Sequence, residues 1–294
     1  MGARLFFGYA LSQRAVLPLY FFMEDKMPKK IFSEEQKQYI RDNYLTQSYK
    51  EIGEHLGFTA KQIGAWITEN HLRKNHVINN TYFDNIDTSL KAYFLGFIYA
   101  DGCVSRGNEL NYSFYMKLQS QDRYILEKLN KELCGKDNYI THIEPYDVII
   151  MGISSHCCGA DKLSIGSKPL VEALIKNNII PDKSHSDIFP IVDDIFFFDY
   201  LRGWIDGDGW YTYDKEKLII GLCCHSIKPL EYAQTKLLNY GIHARICQDK
   251  SVYKLICSRK VDTIKLINLL YYEDNLLYLQ RKYEKIKHLI GLAA

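Results

Sequence analysis

The chain has 294 residues and a formal net charge of +2, and 47% of its residues are apolar, 24% charged and 14% aromatic. This composition excludes a disordered or collagen-like polypeptide and is typical of a globular protein with room for more than one domain. The net charge is too small to be evidence for a polyanionic partner, so its distribution along the chain is more informative. The positive charge is concentrated at the end of the chain, where residues 200–294 hold 15 Lys and Arg against 10 Asp and Glu.

Residues 1–26 form an apolar start that is interrupted by Ser12, Gln13 and Arg14. The apolar patches are shorter than the roughly 20 residues that a membrane span needs, so we expect no membrane partner and assign this stretch as an unstructured leader of unknown role. The eight Cys follow no disulfide framework. We therefore expect a cytoplasmic location in a bacterial or phage-type setting, or an organelle, and not secretion.

Three short helices are predicted over residues 27–76. Ser33 and Ser48 stand at N-cap positions, Gly57 stands at a C-cap, and a third helix follows Thr59. The tight turn at Gly57 resembles a helix-turn-helix, whose last helix enters the DNA major groove. DNA contacts are then expected from Lys61, Gln62, Arg73 and Lys74. The alternative is a plain three-helix bundle with a solvated basic face.

Residues 77–90 are rich in Asn and Asp and are predicted to be a linker, after which a motif occurs twice. AYFLGFIYADGCV (92–104) and FDYLRGWIDGDGWY (198–211) both place small residues four apart in an apolar helix that ends in Asp-Gly. Small residues at that spacing allow two helix backbones to approach closely. The predicted helix interface consists of Gly96, Ala100, Gly203 and Gly207, and it brings Asp101 and Asp208 together.

The segments after the two motifs also repeat, because a strand and then a helix follow each of them. The two copies are 107 residues apart from Asp101 to Asp208, which indicates an internal duplication. The predicted fold is α+β, with two αββαββα halves over residues 91–196 and 197–294 related by a pseudo-two-fold axis, plus the small all-α domain. An antiparallel sheet from each half can lie along a groove of duplex DNA.

FLGFIYADG (94–102) and LRGWIDGDG (201–209) resemble the two signature helices of LAGLIDADG homing endonucleases. LYLQRKYEKI (277–286) and NIIPDKSHSDIFP (178–190) extend the resemblance over roughly residues 88–290. The resemblance implies a monomeric, site-specific endonuclease that binds a long target in double-stranded DNA. It further implies metal-dependent phosphodiester hydrolysis that leaves short 3′ overhangs.

By the same resemblance, Asp101 and Asp208 would bind divalent metal beside the scissile phosphates. The chemistry agrees, because phosphodiester hydrolysis uses a hard cation held by oxygen ligands. Mg²⁺ suits two carboxylates, Mn²⁺ should substitute for it, and the backbone carbonyls of Ala100 and Gly207 could complete the shell.

Three further side chains are candidates for the catalytic shell: Gln119, Lys183 and Lys282. Arg281 is the alternative to Lys282, and each Lys could instead be a solvated surface charge. The two halves also differ, because Tyr99 stands where the second motif has Asp206, and Cys223 is taken as the repeat partner of Gln119.

Base and phosphate contacts are expected from the predicted strands, although strand parity leaves the orientation of each candidate open. The candidates are Tyr112, Lys117, Lys217, His225, Arg245 and Lys254. Two other functions remain open: a transcription regulator that binds DNA without cutting it, and a maturase that binds intron RNA. The neighbouring Cys and His residues at 156–158 and 223–225 do not favour zinc, because adjacent strand residues point to opposite faces.

Overall fold

The computed structural model describes residues 32–44, 47–70, 72, 78–106, 112–150, 153–214 and 217–290. The chain divides into two compact units, residues 1–75 and residues 76–294. The leader expected over residues 1–26 lies outside the described residues, and so do Arg73 and Lys74.

The smaller unit contains the three predicted helices: α1 (Glu34–Asn43), α2 (Tyr49–Leu56) and α3 (Ala60–Glu69). Ser33, Ser48 and Thr59 cap them, each accepting a hydrogen bond from the backbone three residues on in a capping box. Gly57 ends α2 in the left-handed conformation, which glycine adopts without steric cost. The turn between α2 and α3 is therefore fixed by local sequence.

One apolar cluster holds the three helices of the smaller unit together. Its fully buried members are Ile40 from α1, Ile52 from α2 and Ile63 from α3. A Cβ on Gly53 would lie 2.5 Å from the carbonyl oxygen of Phe58, so the turn packs directly on α2. This contact makes glycine necessary at position 53.

Residues 78–88 pack as part of the larger unit, which corrects the prediction of a linker. Tyr82 and Phe83 are buried in its main apolar cluster. The backbone N–H of Asn79 donates to Leu133 O at 2.7 Å, and Asn177 Nδ2 donates to Phe83 O at 2.7 Å. Composition alone did not reveal these tertiary contacts, because an Asn-rich segment satisfies its polar groups equally well in a loop or against a core.

The larger unit contains the same series of elements twice. The first copy has α4 (Ser89–Asp101), β1 (Gly102–Arg106), β2 (Tyr112–Gln119), α5 (Arg123–Cys134), β3 (Ile140–Ile143), β6 (Ala160–Ile165) and α6 (Lys168–Lys176). A hairpin of β4 (Tyr146–Ile150) and β5 (Ile153–Cys157) is inserted before β6. The second copy has α7 (Phe197–Asp208), β7 (Gly209–Asp214), β8 (Lys217–Cys224), α8 (Lys228–Asn239), β9 (Arg245–Asp249), β10 (Val252–Cys257) and α9 (Lys260–Leu270).

Short helices complete the larger unit: α10 (Gln280–Tyr283) and 3₁₀ turns at Ser120–Asp122, Lys183–His185, Asp194–Phe196 and Lys287–Leu289. No helix among the described residues combines the length and apolar character that crossing a bilayer requires.

Each copy builds one four-stranded antiparallel sheet, in the order β1-β2-β6-β3 and β7-β8-β10-β9. Helices α5 and α6 cover one face of the first sheet, and α8 and α9 cover the same face of the second. The predicted α+β fold with two αββαββα halves is confirmed.

Helices α4 and α7 pack against each other at two glycines. A Cβ on Gly96 would lie 2.0 Å from the carbonyl oxygen of Tyr200, and a Cβ on Gly203 would lie 2.0 Å from that of Tyr93. Both pairs are related by a shift of 107 residues, so the contact is reciprocal, as at a two-fold axis. The two helix backbones therefore touch at a pseudo-dyad.

We predict that Gly203→Ala lowers the free energy of unfolding by about 3 kcal/mol or more, because backbone atoms, which cannot rotate away, meet the new methyl group. Gly166→Ala is the matched control, because its nearest neighbour is Tyr112 O at 3.9 Å, and we expect a change within about 1 kcal/mol. Urea unfolding followed by fluorescence measures both. Equal stability of the two variants would contradict the close helix contact.

Candidate active site

Both interface helices end at an aspartate and pass directly into a strand. Gly102 and Gly209 follow Asp101 and Asp208 with extended backbone conformations. A Cβ at either glycine would lie 2.7 Å from a carbonyl oxygen of the preceding turn, at Ile98 or Ile205. Only glycine allows this sharp change of direction, and the carboxylate is left at the helix end.

The two carboxylates lie close together beside the pseudo-dyad. A Cβ on Gly207 would lie 2.2 Å from the Cβ of Ala100 and 3.2 Å from Asp101 Oδ2, so Asp101 reaches across to α7. Burial, and then the negative charge of Asp101, raise the pKa of Asp208 to about 6. Burial also raises the pKa of Asp101, while Lys282 and Lys183 oppose the rise.

This pair of acids fits a hard divalent cation. Two like charges held together disfavour double ionisation, and a cation between them removes that penalty. Both side chains remain open to solvent on one side, where a hydrated ion can approach. No three His, Cys, Asp or Glu side chains gather at one point within the described ranges. Mg²⁺ accepts one or two carboxylates and keeps waters, and Mn²⁺ shares this preference for oxygen.

The backbone carbonyls expected to complete the metal shell have different surroundings. The carbonyl oxygen of Gly207 accepts a hydrogen bond from Lys282 Nζ at 3.2 Å, which engages one of its lone pairs. Ala100 lines a cavity of about 290 Å³ together with Asp208, Lys183 and Cys223. The open volume therefore lies on the Ala100 side of the carboxylates.

Lys282 is buried and binds the C-terminal end of α7. Its Nζ donates to Ile205 O at 2.8 Å, Asp206 O at 2.6 Å and Gly209 O at 2.6 Å, besides Gly207 O. Burial lowers the pKa of Lys282 to about 8. Its three N–H groups are fully used by carbonyls at the end of α7 and at Gly209, of which Ile205 O also accepts from the backbone N–H of Gly209, so Lys282 acts as a helix cap.

Lys183 is the counterpart of Lys282 in the first half but has fewer partners. It donates to Gly102 O, the equivalent of Gly209 O, and this is its one hydrogen bond among the described residues. Burial lowers the pKa of Lys183, while Cys103, Asp208 and Asp101 oppose that change. Lys183 thus has N–H groups to spare beside the carboxylates, whereas Arg281, the alternative to Lys282, donates to buried Asp122 at 2.9 Å.

The strand register corrects one assignment made from the sequence. Gly102 pairs with Met116 and Gly209 pairs with Leu222, so the first hairpin is one residue longer than the second. His225 is consequently the counterpart of Gln119, and Cys223 is that of Lys117. Sequence similarity does not fix the length of a turn, which is why Cys223 was taken as the partner of Gln119. Gln119 itself is exposed and accepts from Gln121 Nε2 at 2.6 Å.

The candidate DNA-binding residues lie in three kinds of surroundings. Lys117, Lys217 and Arg245 are exposed on the sheet faces opposite helices α5, α6, α8 and α9, and His225 is exposed at the cavity. Lys254 shares that face but forms an ion pair with Asp249. The strand position of Tyr112 does not fit the predicted DNA contact, because its side chain is turned towards the helices and packs on the core. In the smaller unit Lys61 is exposed, and Gln62 Oε1 accepts from Thr59 N at 2.9 Å.

Sequence reasoning missed the surroundings of Asp206, the residue that has no acidic counterpart in the first half. Asp206 is fully buried, and its Oδ2 accepts from Tyr93 Oη at 3.0 Å and from Leu279 N at 2.8 Å. Burial raises the pKa of Asp206 to about 6. In the first half Tyr99 occupies this position and packs against Trp204. The contact joins α4 to α7, so no spacing within either motif signalled it.

We predict that Lys282→Met lowers the free energy of unfolding by about 3 kcal/mol or more, because Asp206 O, Gly207 O and Gly209 O lose the ammonium that donates to them and Ile205 O keeps only the N–H of Gly209. Lys183→Met removes one such bond and should cost about 1 kcal/mol. Thermal unfolding of both variants measures the difference. Equal losses would show that Lys282 is not a helix cap.

We predict that stability falls as the pH rises from about 4 to 7, relative to an Asp206→Asn variant. The folded protein keeps a proton on Asp206 up to a pKa of about 6, whereas the unfolded chain loses it near 3.8. The stabilisation is therefore present below pH 3.8 and is lost as the pH rises through 6, by roughly 3 kcal/mol. Urea unfolding across this pH range measures it, and parallel curves for the two proteins would refute it.

The chain is similar to several solved structures and to one family model. The homing endonuclease I-DmoI in complex with DNA and Ca is 17% identical, covering 68% of this chain and 97% of that chain, with a TM-score of 0.43. The homing endonuclease I-WcaI bound to its DNA recognition sequence is 13% identical, covering 69% of this chain and 87% of that chain, with a TM-score of 0.47. The N-terminal LAGLIDADG domain of DUF199/WhiA is 17% identical, covering 72% of this chain and 93% of that chain, with a TM-score of 0.42. A search of curated protein sequences gives no match. Residues 198–263, from α7 into α9, match the family model of the LAGLIDADG-like domain.

Proposed function

We propose that this protein is a site-specific, metal-dependent DNA endonuclease of the homing type. The observation that carries the proposal is the pair Asp101 and Asp208, held together at a pseudo-dyad by glycines and open to solvent. A two-fold arrangement of carboxylates matches the two strands of a duplex, which are themselves related by a dyad. Because one chain supplies both halves, the active form is a monomer.

The contacts suggest a separate role for each side chain of the site. Asp101 and Asp208 would hold Mg²⁺ or Mn²⁺, which supplies charge neutralisation and lowers the pKa of water. Lys183, with N–H groups to spare, is placed to donate to a phosphate oxygen. Lys282 fixes the end of α7 and thereby the position of Asp208. Gln119 and His225 stand at equivalent strand positions, and His225 lines the cavity with Asp208, where it can orient water.

DNA would lie across the sheet faces that the helices leave uncovered. Lys117 and Lys217 are exposed there and have no carboxylate partner among the residues described, so both are available to phosphates. Helix α3 begins with exposed Lys61 after a tight turn, which suits a helix-turn-helix contact in the major groove. The smaller unit would then lengthen the DNA site.

A non-cleaving DNA-binding regulator is the second candidate, and the state of Lys282 favours it. Its ammonium is consumed by backbone carbonyls, so one half-site lacks the free lysine of the other. The same scaffold could also serve as a maturase on intron RNA. Retention of both motif carboxylates favours the endonuclease over these two functions.

We predict that Asp208→Asn lowers Mg²⁺-dependent cleavage of duplex DNA at least about a hundredfold, since it removes a ligand of the catalytic cation. Asp274→Asn is the matched control, because Asp274 is exposed and lies outside the site. DNA binding should survive in both variants, since loss of a negative charge does not weaken attraction to phosphate. Cleavage of a duplex library with and without Mg²⁺ measures the effect.

Three results would count against the endonuclease. Unchanged cleavage by Asp208→Asn would remove this carboxylate from the chemistry. Tight duplex binding by the wild type without strand scission would favour the regulator. Preference for structured RNA over duplex DNA would favour the maturase.

A further inference from the structure

The uncovered faces of the two sheets carry different chemistry at equivalent positions. Alternation of burial along β2 turns Phe114 and Met116 inward and Tyr115 outward. In β8, Leu218 and Ile220 are inward and Ile219 is half-buried, so the two-residue period places Gly221 on the outer face, where the Trp210 ring covers and buries it. The ladders then define matching rows across the two outer faces.

The central row differs most. In the second sheet it runs Trp210, Gly221, Ile256 and Arg245 across four strands, so that its three inner positions are apolar and a cation lies at the β9 edge. The equivalent row of the first sheet runs Cys103, Tyr115, Ser164. Hydroxyl groups of the first sheet are thus replaced by apolar groups in the second.

The neighbouring rows follow the same trend. Ser105 pairs with Ser113 in the first sheet, where the second pairs Thr212 with Ile219. In the next row of the first sheet, Lys117, Lys162 and Thr141 lie side by side on neighbouring strands. The equivalent row of the second sheet holds Cys223, Lys254 and Cys247. The first face is rich in hydrogen-bonding groups, and the second has few at its centre.

Gly221 holds the indole of Trp210 flat on the second sheet. A Cβ at position 221 would lie 2.0 Å from Cζ2 of Trp210, so the ring lies directly over the strand. Lys254 Nζ is 5.9 Å from the ring centre and also pairs with Asp249, which neutralises its charge. Trp210, Ile219, Gly221 and Ile256 form a half-exposed apolar surface, the Trp210 patch.

Resting on the proposed function, we infer that the Trp210 patch reads thymine methyl groups. In the major groove the thymine C5-methyl is the apolar feature of the base edges, whereas the other features are hydrogen-bond donors and acceptors. A duplex seated on the second sheet therefore gains most from thymines under the patch. The half-site on the first sheet is read by the hydroxyl and ammonium groups of Ser113, Tyr115, Ser164 and Lys117. The target has one half-site sensitive to thymine methyls and one that is not.

The test uses the full chain and the duplex that it enriches from a random-sequence library, bound in Ca²⁺. Thymines of each half-site are replaced in turn by deoxyuridine, which lacks only the methyl group, and dissociation constants are measured. We expect the replacement to weaken binding in one half-site by about fourfold for each methyl group buried. Replacement in the other half-site should change binding less than twofold.

A double variant, compared with a control variant, assigns the sensitive half-site to the second sheet. Ile219→Thr with Ile256→Thr keeps β-branched side chains but adds hydroxyl groups, and it should abolish the deoxyuridine effect. Ser164→Ala, at the position equivalent to Ile256, is the control and should leave the effect intact. Equal sensitivity of the half-sites, or an effect that persists in the double Thr variant, would overturn the inference.

The outcome is separable from that of the proposed function. A protein that binds with the expected methyl sensitivity but never cuts supports the inference and rejects the endonuclease. A protein that cuts in Mg²⁺ with no methyl sensitivity supports the endonuclease and rejects the inference. Failure to enrich any duplex would overturn both.

Discussion

The backbone contact between α4 and α7 is the constraint on which the rest of the larger unit depends. Hydrogen is the only substituent that fits at Gly96 and Gly203, since each faces a carbonyl oxygen of the other helix. At this crossing the helices share identical residues at Tyr93 and Tyr200, the two glycines, and the terminal aspartates. The close approach positions the carboxylates, and the sheets follow from where the helices end.

The two halves share this geometry but not their buried chemistry. In α7 the buried Arg202 donates to Asp199 at 2.8 Å and to Leu270 O at 2.8 Å, whereas the equivalent residues of α4 are Leu95 and Ala92. With Asp206 and Lys282, this network ties the segment after α9 to the second motif helix. Buried polar groups of this kind are costly unless every partner is present. The end of the chain is thus tied to the second motif helix, and through Arg281 with Asp122 and Tyr278 O with Tyr124 it is tied to the first half as well.

Much of the fold could be predicted from the sequence because its signals are local. Ser33, Ser48 and Thr59 mark helix starts through capping, and the paired Gly96 and Gly203 motifs mark the duplication. The rest depended on register and tertiary contact. Turn length decided that His225 matches Gln119. Packing decided that Phe83 is core and that Lys282 binds carbonyls, and no spacing in the sequence encodes either contact.

The apolar character of α4 has a consequence during synthesis. Every residue from Ala92 to Tyr99 is buried, on all sides of the helix, and α7 supplies much of the cover. When a nascent chain has emerged only to the end of α6, the apolar face of α4 that α7 will cover is still exposed. It stays exposed until about thirty more residues have left the ribosome. During that interval the first half is a partly folded species with exposed apolar surface, which favours non-native association.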